Sequence, residues 1–128
     1  MTLVLDSGGI SLLAASTADT ARLRLRFGWP ALVPAVVLVE SLTGDHRRDH
    51  AVNRFLSSCV VVVVDEHVAR EAARLRTLTG RAGTITAVDA VVAALAAQRP
   101  DPVVVTGDPG DLGALAAHAR VPVTIVAA

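Results

Sequence analysis

Short runs of apolar residues alternate along the chain with longer segments of mixed composition. Two of these runs, Leu3-Val4-Leu5 and Val103-Val104-Val105, lead into small or polar residues, which is typical of strands buried on both faces of a sheet. Val60–Val64 contains only valine, and we expect it to be a fully buried strand as well. The pattern predicts five strands, at Leu3–Asp6, Ala31–Val33, Val60–Val64, Val103–Thr106 and Val123–Val126.

The segments between the strands are predicted to be helices. Val68, Ala72, Leu75 and Leu78 recur at helical spacing and form one apolar face. Ala18–Phe27 alternates Leu with Arg as a strand would, but its residues are good helix formers and no tight turn follows, so we predict a helix. The predicted helices are Ile10–Ala15, Ala18–Phe27, Ala35–Thr43, Asp49–Ser57, one capped by Asp65 and running to Thr79, the largely apolar Thr86–Gln98, and Leu112–Ala119.

Buried strands that alternate with helices, without hairpin signals, predict a parallel sheet covered by helices on both faces. We therefore expect an α/β fold, a three-layer α/β/α sandwich with a central parallel sheet of four to five strands. The 128 residues, of which 52% are hydrophobic, suit a single domain over residues 1–128. Because aromatic residues make up only 2%, the core must be built from Ala, Val and Leu.

The charges are balanced, and every basic residue is an arginine. Twelve Arg face twelve acidic residues, for a net charge of +0, so a nucleic acid would have to be met by local Arg clusters rather than by overall charge. The single cysteine, Cys59, excludes a disulfide within the chain and suggests a buried thiol in a reducing compartment. No basic segment precedes the first apolar run, and Ala90–Ala97 is too short to span a bilayer. We expect a cytoplasmic protein with no membrane segment.

Four carboxylates emerge from otherwise apolar segments: Asp6, Glu40, Asp89 and Asp108. Right-handed crossovers would bring Asp6 and Asp108 to the same edge of the sheet. Helix capping remains an alternative for two of the four. Thr86 and Asp89 have the spacing of a capping box, and Asp108 with Asp111 resembles a helix start.

Four carboxylates in one pocket would repel each other, at about 4 kcal/mol for each pair ~4 Å apart at an effective dielectric of 20. Either some of them stay protonated or a cation fills the site. The chain has no lysine to supply that charge, and hard oxygen ligands suit Mg²⁺ or Mn²⁺. Such a site can activate water and stabilise a phosphodiester during hydrolysis.

Four motifs of the chain, in this order, are those of a known family. They are Val4-Leu5-Asp6-Ser7-Gly8, Val33-Pro34 with Val39-Glu40, Val88-Asp89-Ala90, and Val105-Thr106-Gly107-Asp108-Pro109-Gly110-Asp111-Leu112. Over its whole length the chain resembles the PIN-domain ribonucleases, in particular the VapC-type toxins of bacterial toxin–antitoxin pairs. The resemblance implies a homodimer that cleaves RNA with Mg²⁺ or Mn²⁺, and a small antitoxin whose extended tail enters the active-site groove.

The resemblance also implies roles for individual residues. It makes the four carboxylates the catalytic quartet, with Asp6, Asp89 and Asp108 nearest the main metal ion and Glu40 polarising the attacking water or holding a second ion. The supporting residues would be the hydroxyls of Ser7 and Thr106 and, as a candidate fifth acid, Asp111.

Two features depart from the family pattern. Leu112 stands where many relatives have an aromatic residue, and the pair Gly8-Gly9 predicts a looser turn after Asp6. Neither departure removes a ligand.

Arginines near these motifs are weaker candidates for RNA contacts. Arg47 and Arg48 follow Glu40 closely, and Arg76 and Arg81 precede Asp89; each could equally lie on a solvated face. Phosphate contacts of this kind would give salt-sensitive binding without base specificity. His46 and His50 have the i, i+4 spacing of a zinc site, but adjacent arginines and the lack of a third ligand argue against zinc.

The alternative function is a catalytically inactive PIN-like module that binds RNA or protein and keeps its acids as helix caps. Two other classes are excluded by single residues. A receiver domain needs a lysine beside its acidic pocket, and a haloacid-dehalogenase-type phosphatase needs a second Asp where Gly8 stands.

Overall fold

A computed structural model describes all 128 residues. Five strands form one sheet: β1 (Thr2–Leu5), β2 (Leu32–Pro34), β3 (Val60–Val62), β4 (Pro102–Thr106) and β5 (Thr124–Ala127). Their order in the sheet is β3-β2-β1-β4-β5, and every neighbouring pair is parallel. The predicted parallel sheet is confirmed, with each strand within one or two residues of its expected position.

Seven α-helices and one 3₁₀ turn connect the strands. They are α1 (Ser7–Ala15), α2 (Thr17–Phe27), the 3₁₀ turn Ala35–Val37, α3 (Leu38–Ser41), α4 (His50–Leu56), α5 (Glu66–Leu78), α6 (Ala87–Ala96) and α7 (Pro109–Ala116). Helix α1 packs against α2 and α4, whereas α5, α6 and α7 pack on one another, and both groups contact the sheet. This is the expected α/β/α sandwich. None of the helices is long and apolar enough to cross a bilayer.

The core lies on the central strands and on α6. All five residues of β4 are buried, as are six of the ten residues of α6, most of them alanine or valine. Small side chains let α6 approach the sheet closely, which fits a core with almost no aromatic residues. The Ala18–Phe27 segment is helical, as predicted, and Asp65 caps α5 by accepting a hydrogen bond from the Val68 N–H at 2.8 Å.

The expectation for Val60–Val64 is wrong. Strand β3 lies at the edge of the sheet, and Val60, Val61 and Val63 are 45%, 43% and 77% exposed. An apolar run predicts a strand, but its place in the strand order depends on long-range pairing that no local pattern encodes. Two smaller expectations also shift: Leu78 is half exposed at the end of α5, and Cys59 is only partly buried, although burial still raises the pKa of its thiol.

Candidate active site

The acidic residues follow strands β1 and β4, which are neighbours at the centre of the sheet. Leu5 pairs with Val105 in register, so Asp6 and Thr106 leave the sheet side by side. The chain winds from β1 to β2 and β3 on one side, and then returns to β4 and β5 on the other. The crevice between β1 and β4 is therefore the switch point where open parallel sheets bind ligands.

Asp6 is buried, and both of its carboxylate oxygens accept hydrogen bonds. One oxygen accepts from the Gly9 N–H at 2.8 Å, which caps α1, and from the Gly107 N–H at 3.3 Å. The other accepts from the Thr106 hydroxyl. That hydroxyl in turn accepts from the Asp108 N–H at 2.8 Å. Asp6 thus ties the start of α1 to the end of β4, and the Thr106 hydroxyl links Asp6 to the backbone of Asp108.

The turn after Asp6 is tight, and the expectation of a looser turn is wrong. A Cβ at Gly8 would lie 2.5 Å from the Gly107 Cα, and a Cβ at Gly9 would lie 2.4 Å from the Val105 carbonyl oxygen. These are backbone atoms of β4 and the residue after it, so they cannot move aside easily. The two glycines are there because the first turn of α1 lies directly against the neighbouring strand.

Asp89 lies in the first turn of α6 and is half buried. The Thr86 hydroxyl accepts a hydrogen bond from the Asp89 N–H at 3.1 Å, so Thr86 caps the helix as the sequence suggested. No protein group donates to the Asp89 carboxylate. Burial, followed by the charges of Asp6, Asp108, Glu40 and Asp111 in that order, raises the pKa of Asp89 to about 6.

Asp108 and Asp111 complete the acidic group at the start of α7. Carboxylate oxygens of Asp89, Asp108 and Asp111 lie within 4.8 Å of one another. Asp108 also caps α7 by accepting from the Asp111 N–H at 3.2 Å, so the capping interpretation of Asp108 holds alongside its place in the cluster. The Arg81 guanidinium forms an ion pair with Asp111 at 2.6 Å.

The donor set fits a divalent cation. Oxygens that bind one Mg²⁺ at about 2.1 Å lie at most about 4.2 Å apart, close to the spacing of this cluster. Burial is the largest cause of the raised pKa of Asp89, and the neighbouring carboxylates raise it further, so a bound cation would stabilise the charged form. Asp89, Asp108 and Asp111 would hold the ion, and Arg81 is the protein cation already beside them.

Two other predicted site residues lie near this cluster. Glu40 is exposed on the short helix α3, close enough for its charge to affect Asp89. Ser7 is the first residue of α1, and its hydroxyl makes no hydrogen bond within the protein.

The four predicted RNA-contacting arginines fall into different settings. Arg47 and Arg48 are exposed in the loop before α4. Arg76 is partly buried, and its Nε donates to the Ile85 carbonyl at 2.7 Å, so it closes the connection between α5 and α6. Arg81 is the partner of Asp111 described above.

Two further arginines line a groove that sequence patterns did not reveal. Arg24 of α2 and Arg54 of α4 lie on either side of it, thirty residues apart in the chain. Each is one basic residue on an amphipathic helix, so no local signal distinguishes them. His46 and His50 are both exposed.

Comparison with known proteins agrees with this geometry. A sequence model of the PIN domain matches residues 9–117. Three solved structures share the fold, and the first is DNA-bound VapBC from Salmonella typhimurium, with a TM-score of 0.72 and 20% identity over 99% of this chain and 98% of that chain. DNA-bound VapBC2 from Rickettsia felis has a TM-score of 0.70 and 16% identity over 100% of this chain and 99% of that chain. FitAcB from Neisseria gonorrhoeae has a TM-score of 0.63 and 22% identity over 96% of this chain and 96% of that chain. No curated protein sequence matches the chain.

The family match begins just after Asp6 and extends beyond Asp111, so it covers Glu40, Asp89 and Asp108. The likeness to the solved structures extends over almost the whole chain, Asp6 included. From its acidic crevice, its parallel sheet and these matches, the chain belongs to the PIN domain family.

Proposed function

We propose that this protein is a Mg²⁺- or Mn²⁺-dependent endoribonuclease that acts as the toxin of a toxin–antitoxin pair. The observation that carries the proposal is the cluster of Asp89, Asp108 and Asp111 at the switch point of the sheet, where carboxylate oxygens lie within 4.8 Å of one another. Burial, and then the charges of four other carboxylates, raise the pKa of Asp89 there. A bound divalent cation would offset the repulsion between these carboxylates. Phosphodiester hydrolysis is the chemistry that this kind of site performs.

Each acid would have a distinct part. Asp89, Asp108 and Asp111 would bind the ion, which lowers the pKa of its bound water and offsets charge on the phosphate. Asp6 would hold α1 and β4 in register, because both of its oxygens already accept hydrogen bonds. It would also add negative charge beside the ion. Glu40, the exposed acid, would accept a proton from the attacking water.

The toxin assignment is supported by the structural neighbours, two of which are VapBC structures. It implies a small antitoxin that covers the acidic crevice, an RNA substrate, a homodimer and a cytoplasmic location. The alternative, a catalytically inactive RNA- or protein-binding module, has one observation in its favour. Asp108 caps α7 and Asp111 forms an ion pair with Arg81, so both carboxylates have a structural role without a metal.

The decisive variant is Asp89→Asn, which keeps the size of the side chain and removes its charge. We expect Mg²⁺-dependent cleavage of RNA to fall at least a thousandfold, while the metal-free protein melts at the same or a higher temperature because repulsion is relieved. Mg²⁺ at ten times its dissociation constant should stabilise the wild type by about 1.4 kcal/mol. The variant should lose most of that stabilisation.

Asp65→Asn is the matched control, because Asp65 is an acidic helix cap outside the acidic cluster and Asn can replace it as a cap. It should leave cleavage and the Mg²⁺ response unchanged. A wild type that does not cleave RNA in Mg²⁺, or whose melting curve tens of millimolar Mg²⁺ do not shift, would favour the binding module. Cleavage that persists in Asp89→Asn would instead remove Asp89 from the catalytic residues.

A further inference from the structure

A basic groove runs between helices α1, α2 and α4. It has a volume of about 470 Å³, and its walls carry Arg24, His50 and Arg54 over a floor that includes Leu13 and Phe55. No carboxylate lines it. In a chain with no net charge, this is a local excess of positive charge.

The groove continues past His50 toward the loop that precedes α4. A shallow depression lined only by His46, Arg47 and His50 adjoins it, because His50 belongs to both. The one buried acid of this region, Asp49, is turned away into the loop, where it accepts hydrogen bonds from the backbone of Thr43 and Gly44. No carboxylate lines the depression, although the exposed Asp45 in the same loop accepts hydrogen bonds from the backbone N–H groups of Arg47 and Arg48.

The arginines of the groove are not committed to other contacts. Five arginines of the chain form ion pairs with carboxylates, and neither Arg24 nor Arg54 is among them. The Arg24 guanidinium lies 4.7 Å from the centre of the Trp29 ring, which holds it in place without using its N–H groups. Both guanidinium groups remain available to an anion.

Two elements, α1 and the loop after α3, connect the acidic crevice with the groove along the chain. Helix α1 begins at its cap Asp6 and ends at the groove, where Leu13 is about 11 Å farther along the helix axis. The basic loop follows α3, which carries Glu40. A strand of nucleic acid that crosses the crevice can therefore continue past the loop into the groove.

We propose that this groove binds the sugar–phosphate backbone of an RNA strand whose scissile phosphate lies at the acidic cluster. Phosphates are repelled by five carboxylates until a metal ion is bound, and cations beside the crevice offset that repulsion before and during binding. The contacts are to phosphate, so they position the strand and do not select its bases. The identity of the polymer as RNA rests on the proposed function.

An RNA strand fits these observations better than an acidic protein segment. The groove and the adjoining depression share His50, and neither is lined by a carboxylate, which suits a polymer that is charged at every repeat. A protein segment would need acids at each matching position. An acidic peptide nevertheless remains the competing occupant that the experiment must exclude.

The test is binding of a fluorescent twenty-nucleotide uridine RNA, in EDTA so that no cleavage occurs. The test variant is Arg24→Gln with Arg54→Gln, and the control is Arg70→Gln with Arg120→Gln, which removes the same charge from exposed positions outside the groove. We expect the dissociation constant of the groove variant to rise about tenfold at low salt. Loss of two phosphate contacts should also reduce the salt slope by about 1.4. The control should change less than twofold.

Equal weakening of RNA binding in both variants would show an effect of overall charge. Unchanged RNA binding by the groove variant would show that RNA does not bind in the groove. Either result overturns the proposal. So does a groove variant that loses binding of a poly-glutamate peptide of equal charge but keeps RNA binding. Because Arg24 packs on Trp29, Arg54→Gln alone serves as a second variant, with about a threefold loss expected.

The groove and the proposed nuclease activity can fail separately. Binding of RNA in EDTA does not depend on the metal-binding acids, whereas cleavage of RNA in Mg²⁺ does. The Asp89→Asn variant tests that dependence. A wild type that does not cleave RNA in Mg²⁺, together with loss of RNA binding in the groove variant, would remove the nuclease proposal and leave the groove. Cleavage that is lost in Asp89→Asn, together with unchanged RNA binding by the groove variant, would remove the groove alone.

Discussion

The first turns of α1 and α6 place two aspartates at the same edge of the sheet in opposite circumstances. Asp6 is buried, and the Gly9 N–H, the Gly107 N–H and the Thr106 hydroxyl all donate to it. Asp89 is half buried, receives no hydrogen bond from the protein, and has its pKa raised to about 6. The comparison teaches that hydrogen bonds, and not burial alone, decide what a carboxylate does to the fold: donors stabilise the charge of Asp6, whereas burial and neighbouring acids raise the pKa of Asp89.

The variant with the largest expected effect is Gly9→Ala, which tests the surroundings of Asp6 at the start of α1. The added methyl would meet the Val105 carbonyl, forcing α1 away from β4 and breaking the hydrogen bonds of Asp6. We expect a loss of about 3 kcal/mol or more in the free energy of unfolding, measured by urea denaturation. Gly113→Ala in α7 is the control. Nothing lies within 4 Å of a Cβ there, so up to about 1 kcal/mol should be gained.

Removing each carboxylate sharpens the contrast. Asp6→Ala removes the cap of α1 and leaves the buried Gly9 N–H and Thr106 hydroxyl without their acceptor, and should cost about 2 to 3 kcal/mol at any pH near neutrality. Asp89→Asn should instead gain about 1 kcal/mol at pH 7.5, after allowance for partial exposure.

The gain in Asp89→Asn should also depend on pH. Folded Asp89 holds its proton up to about pH 6, whereas the unfolded chain releases it near 3.8. The wild type therefore loses stability relative to the variant as pH rises from about 4 to 6, and the gap is constant above that. Melting curves of the metal-free proteins would check this. A gap that shrinks as pH rises contradicts the difference drawn between Asp6 and Asp89.

The smallest expected effect concerns Arg81, which forms an ion pair with Asp111 in the acidic cluster. Because Arg81 competes for Asp111, Arg81→Gln should strengthen Mg²⁺ or Mn²⁺ binding by about two- to fivefold in calorimetric titration. Arg70→Gln breaks an ion pair of the same 2.6 Å length, with Glu66, and should leave metal binding unchanged. Weaker metal binding in Arg81→Gln would mean that Arg81 helps to position Asp111 rather than competing for it.

Much of the fold was predictable because the buried runs and the helical spacing are local signals. The edge where Asp6 and Asp108 meet also followed, since parallel strands bring their carboxyl ends together. The exposure of β3 was not predictable, because it depends on which strands become neighbours. The role of Gly8 and Gly9 was misjudged for a similar reason: the atoms that demand glycine belong to residues 105 and 107, almost a hundred positions away.

The candidate site divides in the same way. Residue types and their order identified the acids, but the pairing of Arg81 with Asp111 joins positions thirty residues apart. The groove formed by Arg24 and Arg54 likewise requires two helices to pack. Such pairs leave no mark on the local sequence and become visible only in three dimensions.

The exposed valine strand β3 has a consequence for the handling of the isolated protein. An open edge with unpaired N–H and C=O groups is a template for a further strand, and proteins commonly protect such edges with lysine, proline or bulges. This chain has no lysine, and β3 consists of three valines. Concentrated preparations of this protein should therefore aggregate through the edges of their sheets more readily than a protein of neutral charge with a protected edge. We expect the substitution Val61→Lys to reduce this aggregation.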